Sequence, residues 1–196
     1  YSMYGLNTYR DYRMTNYSSA HSRFGLGAEY FWKDLSLRNN WYMSGTGVKS
    51  ITVDGTDYYE RVVPGWDVEV GYRLPFYPSL AFYLKGFNWD YKYRNDNSGV
   101  KATVAWQATP HFGLNAWASN EIPSNAASAD SDLDNQQSLV VGVNFVLTAN
   151  KVEYKPSYKD NLLQEMKNPV RRRYDVLVER YTEDTAAGWN AKTLAK

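Results

Sequence analysis

The feature that most constrains the fold of this chain is a repeated alternation between apolar and polar residues. In WDVEVGYRL, residues 66–74, every second side chain is apolar or aromatic, and those between are charged or glycine. A period of two indicates a β-strand whose two faces meet different surroundings. The sequence therefore predicts an all-β fold with eight strands. The pattern recurs in SRFGLGAEYFW (22–32), VKATVAWQA (100–108) and SLVVGVNFVL (138–147), and more weakly over 1–11, 35–43, 80–91 and 112–119.

The connections between these predicted strands alternate between short and long. The links at 33–34, 75–79 and 110–111 are tight, and longer polar stretches lie between them. Tight turns at one end and long loops at the other are typical of an up-and-down membrane barrel. A soluble lipocalin-like barrel has a similar layout and stays open as an alternative. The longer stretches are 12–21, 44–65, 92–98 and 120–136.

The composition excludes several classes of protein. The chain has 22 basic and 21 acidic residues, so it carries no strong field that would attract nucleic acid. It contains no cysteine, which excludes disulfides and thiolate metal sites. The mean hydropathy is −0.61, and no apolar run is long enough for a membrane-spanning helix. A membrane barrel is not excluded, because its alternating segments average out in such an index.

The residues of the two strand faces favour lipid over water around the barrel. The face opposite the apolar one carries Gly25, Gly71 and Gly142 among its charges. Glycine weakens a strand that faces water, whereas facing a lumen it makes room for something inside. Aromatic residues such as Trp32 and Trp66 lie near predicted strand ends on the apolar face, as at a lipid headgroup layer. We therefore expect the apolar face to meet lipid.

The alternation stops after the last predicted strand. The stretch SYKDNLLQEMKN (157–168) has apolar residues at helical spacing and ends before Pro169, which predicts a short helix with Ser157 as its cap. Beyond it, VRRRYDVLVERY (170–181) and a polar tail are typical of a linker. We therefore expect residues 1–148 to form the strands of a transmembrane barrel and residues 149–196 to form a turn, a helix and a linker.

Five stretches in order along the chain resemble the membrane domain of the intimin and invasin family, the inverse autotransporters. They are YGLNTYRDY, SRFGLGAEYFWKDLSLRNNWYMSG, GWDVEVGYRLPFYPSL, VAWQATPHFGL and RRRYDVLVER. The resemblance implies a transmembrane antiparallel up-and-down β-barrel of twelve strands in the outer membrane of Gram-negative bacteria. Only eight strands are predicted here, so four strands and an adhesive passenger are expected to lie outside this sequence.

The resemblance also implies what the protein does. We expect an outer-membrane anchor and translocator that exports and displays a C-terminal passenger for adhesion, with no catalytic residue, cofactor or metal. Its expected partners are outer-membrane lipid and, during biogenesis, the barrel-assembly machinery and periplasmic chaperones. A host or surface receptor would be reached only through the passenger, and no nucleic acid is expected. A porin-like channel with an open lumen is the main alternative.

The two histidines of the sequence are weak candidates for chemistry. His21 is expected in a long loop and His111 in a tight turn, at opposite ends of the barrel, so they cannot share a metal. A nucleophilic site would need His21 beside a loop carboxylate. The available carboxylates are Asp130, Asp132 and Asp134, which in a polar loop are more often simply solvated.

Charged residues on the polar strand faces form the main candidate site. If the tight turns are periplasmic, the last strand ends in the periplasm, and later residues can reach the surface only through the pore. The wall charges then either form a hydrated lining with weak pairs or hold the returning linker. We expect the linker to run extended, with Asp175 or Val176 beside Glu69. The candidate wall residues are Arg23, Glu29, Arg38, Asp67, Glu69, Arg73, Lys85 and Lys101, and the candidate linker residues are Arg171, Arg172, Arg173, Tyr174, Asp175, Glu179 and Arg180.

Overall fold

A computed structural model describes residues 1–18, 20–120 and 139–194 of the chain. Most of the predicted loop 120–136, including its three aspartates, lies outside these described residues. The strands are β1 (Ser2–Arg13), β2 (His21–Trp32), β3 (Leu35–Ser44), β4 (Lys49–Val53), β5 (Thr56–Val62), β6 (Gly65–Arg73), β7 (Leu80–Trp89), β8 (Asn97–Thr109), β9 (Phe112–Ser119), β10 (Val140–Leu147) and β11 (Val178–Tyr181). The helices are α1 (Tyr158–Glu165) and α2 (Glu183–Leu194).

The eight predicted strands form one antiparallel sheet in the order β1-β2-β3-β6-β7-β8-β9-β10. Neighbours in the sheet are neighbours in sequence except where β4 and β5 intervene between β3 and β6. This confirms the predicted all-β, up-and-down architecture. The sheet is not closed, because within the described residues β1 and β10 each pair with a single strand.

The two faces of this sheet are inverted relative to a water-soluble protein. Leu37 is 45% exposed, whereas the next residue, Arg38, is 3% exposed. We call the side with the exposed residues the apolar face, which includes Leu26, Leu37, Val70 and Val104, and the opposite side the polar face. In water, such apolar surface would cost about 25 cal/mol for each Å² left uncovered. The pattern is the one that suits lipid outside the sheet.

The strand ends define two ends of the sheet. Trp32 pairs with Leu35 across the two-residue turn 33–34, and the turns at 75–79 and 110–111 lie at the same end. We call this the tight-turn end. The opposite end, where Arg13 pairs with His21, carries the longer connections and is called the long-loop end. Within the part of the chain that the structure describes, no helix is long and apolar enough to span a membrane.

The predicted loop 44–65 is largely a hairpin made by β4 and β5. Asp54 and Gly55 at its tip have positive φ angles of 51° and 79°, as two-residue hairpin turns require. The Asp-Gly pair was therefore a usable sequence signal, although the two strands are too short to show a clear alternation. The long connection predicted over residues 44–65 is present, and it contains a strand pair that the sequence analysis did not predict.

The predicted linker tail also contains regular structure. Residues 178–181 form β11, which pairs with β5 and makes a three-stranded sheet in the order β11-β5-β4. The helix α2 follows, with Glu183 and Asp184 in its first turn, where acidic side chains favour a helix. The pairing of β11 is visible only in three dimensions, because its partner strand lies more than a hundred residues earlier.

Candidate functional site

Residues 169–177 cross the polar face from the tight-turn end to the long-loop end. We call them the crossing segment. Arg171 contacts Glu69 on β6, Arg173 contacts Tyr42 on β3, and Asp175 contacts Arg23 on β2. In the sheet register these wall residues lie successively closer to the long-loop end. The crossing segment is therefore extended along the strands.

The helix α1 lies at the tight-turn end, where the crossing segment begins. Glu165, its last residue, accepts a hydrogen bond from Arg73 Nη2 at 2.7 Å and another from Arg38 Nη2 at 3.2 Å. Arg73 also stacks over the ring of Tyr154, 3.4 Å from its centre. One carboxylate thus fixes α1 to two strands. Ser157 stands at the predicted cap position with extended backbone but makes no side-chain cap hydrogen bond.

The middle of the crossing segment is held by a buried charge cluster around Glu69. Arg171 Nε donates to Glu69 Oε1 at 2.7 Å, and Arg171 Nη2 donates to Oε2 at 3.3 Å. Arg38 Nη1 lies 3.4 Å and Lys85 Nζ lies 3.9 Å from the same carboxylate. A two-pronged guanidinium–carboxylate contact fixes orientation as well as charge. Glu69 is 3% exposed, so its surroundings depend on these cations.

The next contacts are made to the backbone of the crossing segment. Arg23, which is fully buried, donates to the carbonyls of Arg173 at 2.6 Å and Asp175 at 2.8 Å. Arg13 Nη1 donates to the carbonyl of Val176 at 2.7 Å. The hydroxyl of Tyr42 accepts from the backbone N–H of Arg173 at 2.8 Å. Bonds to backbone atoms do not depend on the side chains of the crossing segment. They therefore fix the course of its backbone along the sheet.

An apolar cluster surrounds the segment where it leaves the sheet. Leu177 is 2% exposed and its carbonyl accepts from the N–H of Val63 at 2.9 Å. Aromatic side chains pack closely around it at this end of the polar face. The cluster consists of Tyr42, Val63, Phe87, Trp89, Tyr91 and Leu177, with Tyr9 packed against it.

A second buried cluster is centred on Glu60 of β5. Arg180 donates to Glu60 Oε1 at 2.8 Å, while Thr15 and Ser18 donate to Oε2 at 2.9 and 2.6 Å. His21 Nε2 lies 3.0 Å from Oε2. Burial by itself would raise the pKa of Glu60, but the hydrogen bonds from Ser18, His21, Arg180 and Thr15 outweigh it and lower that pKa to about 2.

The position of His21 differs from the prediction of a loop residue. It is the first residue of β2 and is fully buried. Ser18 Oγ and Glu60 Oε2 both contact its Nε2, at 2.7 and 3.0 Å. In a Ser-His-acid triad the acid binds Nδ1 and leaves Nε2 for the nucleophile. The cluster therefore does not have the geometry of such a triad. Its hydrogen bonds instead hold the buried carboxylate of Glu60 in place.

His111 lies in a tight turn, as predicted, with its Nδ1 3.0 Å from the carbonyl of Thr148. The two histidines are at opposite ends of the sheet. Among the residues that the structure describes, no three His, Cys, Asp or Glu side chains are grouped so as to hold a metal ion.

The candidate wall residues divide into two groups. Arg23 and Glu69 contact the crossing segment, and Arg38 and Arg73 contact α1. The remaining four candidates, Glu29, Asp67, Lys85 and Lys101, contact other residues of the polar face. Glu29 accepts from Arg38, Lys85 lies 3.5 Å from Asp67, and Lys101 lies 4.0 Å from the centre of the Trp117 ring.

The candidate linker residues divide in the same way. Arg171, Arg173 and Asp175 contact the strands described above, and Arg172 donates to Asp11 Oδ2 of β1 at 2.6 Å. Tyr174 is 57% exposed and its hydroxyl donates to the carbonyl of Val170.

The last two candidate linker residues contact β5 of the hairpin and the connection after β7 in place of the eight-stranded sheet. Glu179 accepts from Arg61 and from the backbone N–H of Tyr93, and Arg180 donates to Glu60. The expected position of Asp175 or Val176 beside Glu69 was wrong, because α1 places Arg171 at that level. Asp175 lies farther along, at Arg23.

Sequence reasoning missed several residues of the site. Tyr42, Asp11 and Glu60 contact the C-terminal part of the chain, but the sequence analysis did not single them out. For Tyr42, being an inward aromatic residue among polar neighbours was the available signal. Glu165 lies in the predicted helix, and only the placement of that helix shows its role.

Comparison with known proteins adds independent information. The sequence matches the family described as "Inverse autotransporter, beta-domain" over residues 1–174. It is 37% identical over 110 residues to an attaching and effacing protein homolog of Escherichia coli (strain K12), covering 56% of this chain and 34% of that protein. It is 40% identical over 80 residues to the inverse autotransporter adhesin YeeJ of the same organism, covering 40% of this chain and 3% of that protein. The chain thus matches a minor part of the length of either relative.

A solved structure supports the fold. It is described as "Unveiling the Mechanism Behind the in-meso Crystallization of Membrane Proteins" and matches with a TM-score of 0.68. The match covers 92% of this chain and 75% of that chain, at 18% sequence identity.

Proposed function

This chain belongs to the family of inverse autotransporter β-domains, outer-membrane domains of Gram-negative bacteria, and we propose that it exports and displays an adhesive passenger joined to its C-terminal side. In this function the apolar face meets the outer-membrane lipid. The C-terminal part of the chain occupies the lumen that the polar face lines. The chain works as an anchor and a conduit, without a catalytic step.

The observation that carries this proposal is the direction of the crossing segment. The crossing segment begins beside Glu165 at the tight-turn end and ends with Leu177 at the long-loop end. Outer-membrane barrels have short turns in the periplasm and long loops outside. A chain that continues past β11 would therefore be delivered to the cell surface, as a displayed passenger requires.

The contacts of the crossing segment also fit a conduit better than a porin. A porin needs a water-filled lumen. Here Leu177 and its aromatic neighbours pack closely at the long-loop end, and the Glu69 cluster occupies the middle of the polar face. Arg23 and Arg13 also bind backbone carbonyls of the segment, and such bonds do not depend on the side chains of the segment.

The proposal is tested with the full-length protein in its native membrane. An epitope placed in the passenger should be accessible to antibody on intact cells, and deletion of residues 169–177 should abolish this display while the barrel still assembles. Assembly is followed by the faster migration of unheated protein on a gel. An epitope that stays inaccessible until the cells are opened, with a barrel that conducts ions freely, would establish the porin-like channel.

A further inference from the structure

The sequences of the paired strands β5 and β11 mirror each other, which the proposed export function does not require. Residues 59–62 read Tyr-Glu-Arg-Val and residues 178–181 read Val-Glu-Arg-Tyr. Because the strands are antiparallel, each residue faces its like or its complement. The opposed pairs are Tyr59 with Tyr181, Glu60 with Arg180, Arg61 with Glu179 and Val62 with Val178.

Both charge pairs of this match are made. Arg180 Nη2 lies 2.8 Å from Glu60 Oε1, and Arg61 Nη1 lies 3.0 Å from Glu179 Oε2. The two carboxylates are almost completely buried, at 1% and 3% exposure of their side chains. A shift of β11 by one residue along β5 would bring Glu179 opposite Glu60. Like charges directly opposite on paired strands are unfavourable, so the pairing selects a single register.

The same two carboxylates also tie the surrounding loops to the β5–β11 pair. Glu60 binds Thr15 and Ser18, which belong to the connection between β1 and β2, and His21 at the start of β2. Glu179 accepts the backbone N–H groups of Lys92 and Tyr93, which follow β7. Two further connections at the long-loop end thus meet the β5–β11 pair, one through Glu60 of β5 and the other through Glu179 of β11.

Aromatic contacts reinforce this arrangement. The ring of Tyr181 lies 4.2 Å from that of Tyr93 and 5.6 Å from that of Tyr59. The hydroxyl of Tyr59 donates to Glu183 at the start of α2, at 2.8 Å. Burial, followed by the contact with Tyr93, raises the pKa of Tyr181 to about 12. The strand is therefore packed as well as paired.

We propose that β11 and β5 form a stop clasp, a register-selecting strand pair that fixes where the exported chain comes to rest. This proposal rests on the proposed export function and names the residues that hold the chain after export. The bonds of Arg13 and Arg23 to backbone carbonyls do not depend on the side chains of the bound segment, so they select no register. Pairing of Val178–Tyr181 with Thr56–Val62 does select one, because it brings both buried carboxylates to their arginine partners.

The test measures register by disulfide formation in the full-length protein. Val62→Cys with Val178→Cys reports the observed register, and Val62→Cys with Val176→Cys reports a chain slipped outward by two residues. In the otherwise native protein the first pair should cross-link at least about tenfold more than the second, as expected for hydrogen bonds to buried charges. Adding Arg180→Gln or Glu60→Gln should reduce this preference roughly tenfold.

Matched variants separate the clasp from a general loss of structure. Lys167→Gln removes a positive charge from the same part of the chain, at the tight-turn end, and should leave the cross-linking preference unchanged. Arg61→Gln with Glu179→Gln tests the second charge pair independently, should Glu60→Gln assemble poorly. Combining Glu60→Gln and Arg180→Gln should cost little more than either alone, because both remove one interaction.

The outcomes distinguish the clasp from export itself. A passenger that reaches the surface, with a cross-linking preference unaffected by Arg180→Gln and Arg61→Gln, would overturn the clasp and leave the export function standing. The clasp is equally overturned if the slipped pair forms as readily as the native pair in the native protein. Native cross-linking with no passenger on the surface would instead refute the export function.

Discussion

Arg171 Nε lies 2.7 Å from Glu69 Oε1, and this contact joins the crossing segment to the middle of the sheet. The two residues are separated by about a hundred positions in the sequence. Arg38 and Lys85 also lie close to the carboxylate of Glu69. This buried anion is the counter-charge of Arg171 and belongs to a wider cluster in which Arg38 also pairs with Glu29 and Lys85 with Asp67.

Replacing Glu69 by Ala should release the crossing segment. The change leaves Arg171 without the carboxylate that pairs with it, which costs about 3–5 kcal/mol when a buried pair is broken from one side. Trypsin cleaves after arginine, so cleavage at Arg171–Arg173 in the assembled protein should become much faster. Glu153→Ala, which breaks an exposed pair with Lys151, is the control and should have no effect. Equal resistance of both variants would contradict this prediction.

The apolar face should tolerate no charge. Val143→Arg on β10 would place a cation toward lipid and should cost about 2–4 kcal/mol if it lies near the membrane centre. The neighbouring change, Asn144→Arg, points to the polar face and should cost much less. Heat-dependent gel migration and denaturant midpoints measure both. If the two substitutions impaired assembly equally, the orientation of the faces would be wrong.

The hairpin β4–β5 should lie outside the cell. A cysteine at Thr56, an exposed position in the hairpin, should react with an impermeant maleimide on intact cells. A cysteine at His111 in the tight turn should react only after the outer membrane is opened. Labelling of His111→Cys alone on intact cells would reverse the topology and with it the direction of the crossing segment.

Acid should loosen β11 from the hairpin through Glu60. The pKa of this carboxyl falls from its ordinary value of 4.5 to about 2, so its contribution is complete above about pH 4.5 and is lost as the pH falls toward 2. The charged or titratable groups that face it are His21 from β2, Arg180 from β11 and, opposite it on β4, Lys49. Protease cleavage of residues 178–182 should therefore rise across this pH range.

Glu60→Gln provides the control for this acid effect. An amide cannot titrate, so the variant should show faster cleavage already at neutral pH and no further step between pH 4.5 and 2. A step of the same size in the variant would assign the acid effect to another group.

Much of the fold was predictable because alternation is local information. The eight strands, the tight turns and the inverted faces follow from the order of apolar and polar residues, since a strand exposes successive side chains on opposite sides. Wall residues such as Arg23, Glu69 and Arg73 could be named for the same reason. The family was recognisable from short stretches that stand in the same order.

Other features depend on where distant segments meet. Asp54-Gly55 signalled a turn, but neither β5 nor β11 is long enough to show a pattern of its own, and each is stabilised by the other. The level at which Arg171 meets Glu69 depends on how α1 sits against Arg38 and Arg73. The sequence by itself determined which side chains face lipid and which face inward. Only the tertiary structure decided which inward charges pair, because a buried charge must find a partner in space, wherever that partner stands along the chain.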